Sequence, residues 1–379
     1  MENNEAKKLE QDRAMLALEE NNFKGLIKYT IRSGKTKIGV MAFDRIDKLN
    51  LEPDLPFLWV TKDEKLRDVD VPNEFRKFEY NHLLDRLETV CWASLHKVKG
   101  RYAGIILDEY QNITVHNSKT LISRELYSER IIGLTATHPK HYIKNYLLEK
   151  LKLKTISTLS VDEAVEKKII SNYRVTVIKF NLDNEELVKD RFGNQATEQQ
   201  RYNMLTGAIE FKKTCLEDYS FDSNARRHLL YDSSTRKNVI MHVSEKMKKS
   251  GKRGINFVPF KKIAKSLGPH YFSGSSDKYY NQFADETIDQ ISLVKMGGVG
   301  HTYHGIEYIL VGQVTKDYAG FTTQSWGRGL LYREDAIVDI IMLCANDTVE
   351  ETWIKQTLSA LSPDKIEFIS FDEYCKTQE

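Results

Sequence analysis

The stretch Gly25, Leu26, Ile27, Lys28, Tyr29, Thr30, Ile31, Arg32, Ser33, Gly34, Lys35, Thr36 decides how the chain is read. Its first five residues form a short apolar run that reads as a buried strand. From Thr36 onward Ile38, Met41, Ala42, Ile46 and Leu49 recur at three- and four-residue intervals, as one face of a helix does. A strand, a tight turn and a helix start gather backbone N–H groups and the positive end of a helix dipole at one point, which suits a phosphate. Around Ser33 and Gly34 in that geometry, the Lys35 ammonium reaches terminal phosphates and the Thr36 hydroxyl ligates Mg²⁺. The pattern G-x-x-x-x-G-K-[ST] asks for glycine at the position of Tyr29, so the tetrapeptide by itself also fits a plain surface turn.

A chain of 379 residues is long enough for two domains, each with its own core. Hydrophobic content of 41% and charged content of 29% belong to an ordinary globular protein. Lys plus Arg is 56 and Asp plus Glu is 54, a formal net charge of +2, so any surface that tracks nucleic-acid phosphates must come from local placement of basic side chains. Residues 1–10 are polar and mixed in charge, and no secretory signal is expected. No window approaches the roughly eighteen apolar residues of a membrane span, so no membrane partner is expected. Cys91, Cys215, Cys344 and Cys375 form no CxxC and read as reduced thiols of a cytoplasmic protein.

Beyond the first unit, apolar runs at 57–60, 88–93, 102–107 and 131–134 are strand candidates, and 142–151 reads as a helix. Strands alternating with helices predict a parallel sheet covered on both faces, with its ligand crevice at the carboxyl ends of the strands. Segment 160–171 has helical character and little apolar surface and is read as the connection to a second lobe. A strand follows at 173–180. Residues 183–253 are charged and helical, with Tyr202, Leu205 and Ile209 on one face and the basic pairs Arg226, Arg227 and Arg236, Lys237 elsewhere, read as solvated helices on the second lobe. A second alternating series has strands near 254–258, 270–272, 291–294, 306–311 and 336–343, and helices at 261–267, 322–331 and 349–358. Asp347 with Glu350 three residues later reads as a capping box opening the last helix.

Asp108 and Glu109 close the third of these strands, in the same sheet as the phosphate loop, with Tyr110 and Gln111 after them. ATP hydrolysis needs a carboxylate near the Mg²⁺ shell and a second group to orient and deprotonate water. Asp108 suits the first role and Glu109 the second. Lys35 and Thr36, then Asp108, Glu109, Tyr110, Gln111, then Thr135, Ala136, Thr137, then Gln324 with Gly327 and Arg328 stand in the order and approximate spacing of superfamily 2 helicases. The chain resembles the compact DEAD/DEAH-type members of bacteriophages and restriction systems from about Gln11 to Trp353.

That resemblance implies an α/β fold of two tandem RecA-like lobes, each a mainly parallel sheet covered by helices. The boundaries would be a first lobe at 1–158, a linker at 159–172 and a second lobe at 173–379 that carries the helical insertion 183–253. It implies that Gln11 contacts adenine, that Gln111 links the nucleotide to the second lobe, and that Thr135 and Thr137 couple hydrolysis to movement. Thr61, Lys62 and Ser94 would touch the nucleic-acid backbone. Phe257 and Phe260 bound the motif after the linker, and Thr302 ends a glycine-containing motif that faces DNA and nucleotide. Gln324 and Arg328 belong to the last motif, which relatives write Q-R-x-G-R-x-x-R, and Arg328 is the arginine-finger candidate. The cofactors implied are ATP and Mg²⁺. The partner is DNA, single-stranded, branched or duplex, with RNA as the alternative, and a replication or recombination protein alongside. The setting is the cytoplasm of a bacterium or a phage-infected host.

The departures carry expectations of their own. Tyr29 stands where relatives carry alanine, and Ile31 and Arg32 replace Thr-Gly. Arg32 brings a Cβ to a place where glycine tolerates unusual backbone angles, which predicts an altered loop. Ser325 and Leu331 replace two arginines of the last motif. Arg333 is the second candidate, although two residues further along a helix turn a side chain by about 200°. Weak or partner-assisted turnover follows, or a nucleic-acid-binding module with an impaired motor, or a nucleotide switch acting on a protein. His301 and His304 lack the nearby acidic or cysteine partners of a metal site. Tyr271, Phe272, Tyr279 and Tyr280 read as core and rim packing before base stacking.

Overall fold

A computed structural model describes residues 2–62, 64–136, 142–189, 195–273, 278–294, 303–315, 327 and 329–376. Two compact units divide the chain, Met1–Ser171 with Tyr332–Glu334, and Asn172–Leu331 with Asp335–Glu379. Each is built on a parallel sheet with helices, the α/β two-lobe architecture expected from the alternating apolar runs.

The first lobe has strands β1 (Gly25–Tyr29), β2 (Phe57–Thr61), β3 (Leu87–Cys91), β4 (Gly104–Asp108), β5 (Ile131–Thr135) and β6 (Thr155–Leu159). Their order is β3-β2-β4-β5-β1-β6, and every pairing is parallel. Strands buried on both faces explain the near-continuous apolar runs. Helix α1 (Glu2–Glu20) precedes the sheet and α2 (Lys35–Lys48) follows β1. Along α2 Ile38, Ala42 and Ile46 turn inward as their spacing predicts. Gly39 is needed there, since a Cβ would lie 2.7 Å from the Trp59 ring.

Segment 159–172 is more than a connection. It carries a short helix, α3 (Val161–Glu166), opened by a capping box in which the Ser160 hydroxyl accepts from the Glu163 amide and the Glu163 carboxylate accepts from the Ser160 amide. Val161, Ala164, Ile169 and Ile170 are buried, and the segment as far as Ser171 packs with the first lobe.

The second lobe has strands β7 (Asn172–Phe180), β8 (Gly254–Val258), β9 (Tyr271–Phe272), β10 (Gln290–Val294), β11 (Tyr308–Val311), β12 (Ile337–Ala345) and β13 (Ile366–Ser370). They run in the order β9-β10-β8-β11-β12-β7-β13, again all parallel. The insertion contains helices α4 (Glu198–Thr214), α5 (Ser220–Asp232) and α6 (Ser234–Lys249). Of these α6 is no solvated helix: Val239, Ile240, Val243 and Met247 join the core of the lobe beside Tyr308 and Leu310. Arg236, expected in solvent, is fully buried. Tyr280 is buried too and packs on Phe272 with ring centroids 5.4 Å apart, the packing role preferred for these aromatics.

The last long helix, α7 (Glu350–Leu358), is not opened by the capping box read from Asp347 and Glu350. The Glu350 side chain turns into the core, where its carboxylate accepts from Arg236 and from the Ala345 amide at 3.0 Å, so it is unavailable to the helix start. The helix read at 322–331 falls mostly outside the described residues. Gly327 is helical, but residues 329–331 have left the helix. Arg333 therefore stands beyond it, its amide donating to Ser171 Oγ at 2.8 Å, and the 200° rotation expected along a continuous helix does not apply.

Candidate active site

Parallel register decides what meets at the carboxyl edge of the first sheet. Lys28 pairs with Thr135, Leu134 with Asp108, Val60 with Leu107, and Thr61 with Cys91. The loop after β1, the acids after β4 and the threonine ending β5 therefore emerge side by side, with Thr61 and Lys62 on the adjoining strand and Ser94 just past β3.

Tyr29 does not enter the loop. It is the last residue of β1 and fully buried; its hydroxyl donates to the Glu10 carbonyl at 3.0 Å and shares a hydrogen bond with Ser157 Oγ at 3.0 Å. Arg13 donates to the same hydroxyl from α1 and lies 5.7 Å from the ring centroid. The ring thus bolts α1 and β6 to β1, and the turn proper is left to residues 30–34. Tyr29→Phe removes the shared hydroxyl from two buried partners. It is expected to cost about 1–3 kcal/mol in urea denaturation while leaving nucleotide affinity in place.

Within the loop the Thr30 carbonyl accepts from Ser33 Oγ at 2.7 Å and from Lys35 Nζ at 3.2 Å. Gly34 has φ +86°, the left-handed conformation that glycine adopts freely, and caps α2. A Cβ there would strike Gln11 Nε2, so Gln11 closes over the turn, with the same nitrogen 3.5 Å from the Ser33 carbonyl. Thr36 lies in the first turn of α2. Arg32 adopts φ +67°, the left-handed conformation that glycine takes freely and a residue with a Cβ takes rarely.

Asp108 and Glu109 stand against Lys35. Burial, and next the Glu109 charge, push the Asp108 carboxyl up to about 7, against the pull of Lys35 and the Glu109 amide. Burial pulls the Lys35 ammonium down, while Glu109 and Asp108 favour its charged form and Arg32 opposes it. Glu109 has φ +49°, strain of the kind that clusters at functional sites. Its carboxylate accepts from Gln111 Nε2 at 2.6 Å, and the Gln111 side-chain oxygen accepts from Thr135 Oγ1. Gln111 is buried and makes these bonds inside the first lobe. Sequence reasoning missed two supports of this cluster. Trp92 Nε1 donates to the Asp108 carbonyl at 2.8 Å, and Lys144 donates to the Gln111 carbonyl. Neither left a signal in the spacing of the sequence.

Mg²⁺ commonly keeps several waters and binds through one or two carboxylates plus substrate phosphates. Asp108 and the Thr36 hydroxyl fit that donor set, and Lys35 with the N-terminus of α2 fits the phosphates. Among the described residues no group of three or more His, Cys, Asp or Glu could hold a metal by itself, and no helix is long and apolar enough to cross a membrane. Thr137, Thr302, Gln324, Arg328 and His301 lie outside the described residues.

No protein-family model and no curated protein sequence matches the chain. Solved structures do. The ATP-dependent Type ISP restriction-modification enzyme LlaBIII bound to DNA aligns with TM-score 0.58 and 11% identity over 97% of this chain and 32% of that one. The Pyrococcus furiosus Hef helicase domain aligns with TM-score 0.51 and 12% identity over 93% and 97% of the two chains. S. cerevisiae Dbp5 bound to RNA and ADP BeF3 aligns with TM-score 0.57 and 11% identity over 97% and 90%. The chain thus spans about a third of the restriction enzyme and nearly all of the helicase domain. At such identity the likeness is one of fold.

Proposed function

We propose, from the fold shared with these solved structures, that the chain is a superfamily 2 nucleic-acid-stimulated ATPase acting as a helicase or translocase. The observation that carries this reading is the convergence of Lys35, Asp108, Glu109, Gln111 and Thr135 at one edge of the first sheet. A fold alone does not specify an activity; a Lys, two acids and a helix N-terminus in that arrangement suit phosphoryl transfer to water.

Lys35 and the amides of the turn hold the terminal phosphates, and Gln11 closes the loop from the side where an adenine would be read. Bound Mg²⁺ would supply charge neutralisation between the phosphates, held through Asp108 and Thr36. Glu109, aligned by the Gln111 amide, orients the attacking water and accepts its proton. Because Gln111 also accepts from Thr135, any change at Glu109 reaches the end of β5 in two hydrogen bonds, a local route to the coupling role assigned to Thr135 and Thr137. Arg328 is proposed as the arginine finger with Gln324 beside it in sequence, Arg333 as a second candidate, and Thr61, Lys62, Ser94 and Thr302 as contacts to the strand. DNA is the preferred polymer and RNA the alternative, in a bacterial or phage-infected cytoplasm with a replication or recombination protein as partner.

Phosphate release without polymer, with single-stranded DNA, with duplex DNA and with RNA tests the reading. Release that requires Mg²⁺ and rises with single-stranded DNA is expected. Tight polymer binding with no release under any condition would instead establish the impaired-motor module, which the left-handed Arg32 favours. Release indifferent to every polymer would leave a protein-directed switch.

A further inference from the structure

The peptide group between Asp108 and Glu109 is held at both ends. Its carbonyl accepts from Trp92 Nε1 at 2.8 Å, and its N–H donates to the Asp108 carboxylate at 3.1 Å. Beyond it Glu109 has φ +49°, a left-handed backbone that a residue with a Cβ keeps only where its surroundings dictate it. The tilt of this one peptide plane therefore sets the direction in which both acids leave β4. One of the two bonds lies within the acid pair; the other comes from outside it, from the turn Trp92–Lys97 that follows β3. In the sheet β2 lies between β3 and β4, so the indole reaches across the end of a strand to make its bond. Tryptophan suits that reach, a large rigid ring with a single donor at its edge. Two further contacts fasten the same turn to the chain that follows Asp108. Thr120 Oγ1 donates to the Leu95 carbonyl at 3.3 Å, and the His96 and His116 rings lie with centroids 4.0 Å apart. Trp92, Leu95 and Thr120 are buried, whereas Ser94, in the middle of the turn, is partly exposed. The turn thus has a fastened underside beneath an open outer side, and close packing passes a shift of one to the other.

We infer that Trp92 is a positioning residue through which a bound single strand aligns the acid pair. A strand engaged at Ser94 settles the turn, the indole carries that shift to the Asp108 carbonyl, and the peptide plane turns Glu109 toward the attacking water. The inference rests on the reading above, of an ATPase stimulated by a strand, and adds the residue by which the stimulation arrives.

Amide hydrogen exchange and steady-state phosphate release, both on the full chain with and without single-stranded DNA, test it. In the wild type DNA is expected to slow exchange across residues 109–113 about tenfold. Trp92→Phe keeps a ring in the core and removes the donor. It is expected to lose that protection and to lower strand-stimulated kcat about tenfold or more, with the half-saturating DNA concentration within about twofold of the wild type. A purely structural role would lower the melting temperature and leave the exchange response and kcat intact at temperatures where the variant is folded. Thr120→Val, which cuts the neighbouring tie and spares the indole, carries the test should Trp92→Phe not fold, and is then expected to lower stimulated kcat about threefold. A folded Trp92→Phe that keeps both the protection and the kcat, or that loses DNA affinity in place of kcat, overturns the inference and leaves the ATPase reading standing. Wild-type kcat in Thr120→Val, where that variant alone folds, does the same. A wild-type chain whose phosphate release ignores single-stranded DNA overturns both.

Discussion

Glu350→Ala is expected to destabilise the second lobe by about 3–5 kcal/mol, the usual consequence of stripping one partner from a buried ion pair. Both Arg236 and Glu350 are fully buried. The Arg236 guanidinium donates to Glu350, to the Leu230 carbonyl at 2.6 Å and to the Gly312 carbonyl at 2.9 Å, and lies 5.2 Å from the Phe180 ring centroid. Those contacts tie the insertion helix α6 to the end of β11 and the start of α7. With alanine at 350 the guanidinium keeps two carbonyls but loses its counter-charge, and the Ala345 amide loses its acceptor. Neither charge nor amide can reach water without opening the core. Urea denaturation of the intact chain measures the effect. Glu210→Ala, which breaks an exposed pair with Lys213, is the control and is expected to change stability by no more than about 0.5 kcal/mol. A loss at Glu350 as small as at Glu210 would mean that the pair adds nothing to the lobe.

Glu109→Gln is expected to lower strand-stimulated phosphate release by about 10²–10⁴-fold, the usual share of a general base, while nucleotide affinity holds. The substitution keeps the size of the side chain and its place beside Gln111, and removes only the group that can take a proton. Lys35→Ala is the complementary control. It removes the ammonium facing both acids, so it is expected to weaken nucleotide binding by at least about tenfold and release along with it. If Glu109→Gln turns over as the wild type does, the water-activating role belongs elsewhere. If Lys35→Ala still binds nucleotide as the wild type does, the loop after β1 is not the phosphate site. The two variants separate chemistry from binding, which neither can do alone.

Much of this site was legible because it is local. A buried strand, a glycine turn and a helix start are neighbours in sequence, and Asp108 and Glu109 follow an apolar run that can only be a strand end. Arg32 was legible only in part: a Cβ at a glycine position marked the turn as unusual, but not that the chain would hold the left-handed conformation there. Tyr29 was not. It breaks the loop pattern, yet its ring belongs to β1 and its hydroxyl bonds to Ser157, 128 residues away, a partner that no spacing rule could name. Lys144 donating to the Gln111 carbonyl, 33 residues distant, escaped for the same reason.

The amino-acid sequence by itself determined the alternation of strands and helices in both lobes, the parallel sheets and the residues at the carboxyl ends of the first one, since each follows from periodicity and turn chemistry over a dozen residues. Tertiary structure alone decided where ambivalent polar side chains point. Glu350 has the spacing of a helix cap and becomes the buried partner of Arg236, 114 residues earlier; Arg236 reads as a surface cation and becomes a core residue; segment 159–172 reads as a link and packs with the first lobe as far as Ser171. A cap is worth about 1 kcal/mol and can be given up, whereas a buried guanidinium without a counter-charge costs several, so the distant pairing prevails over the local one.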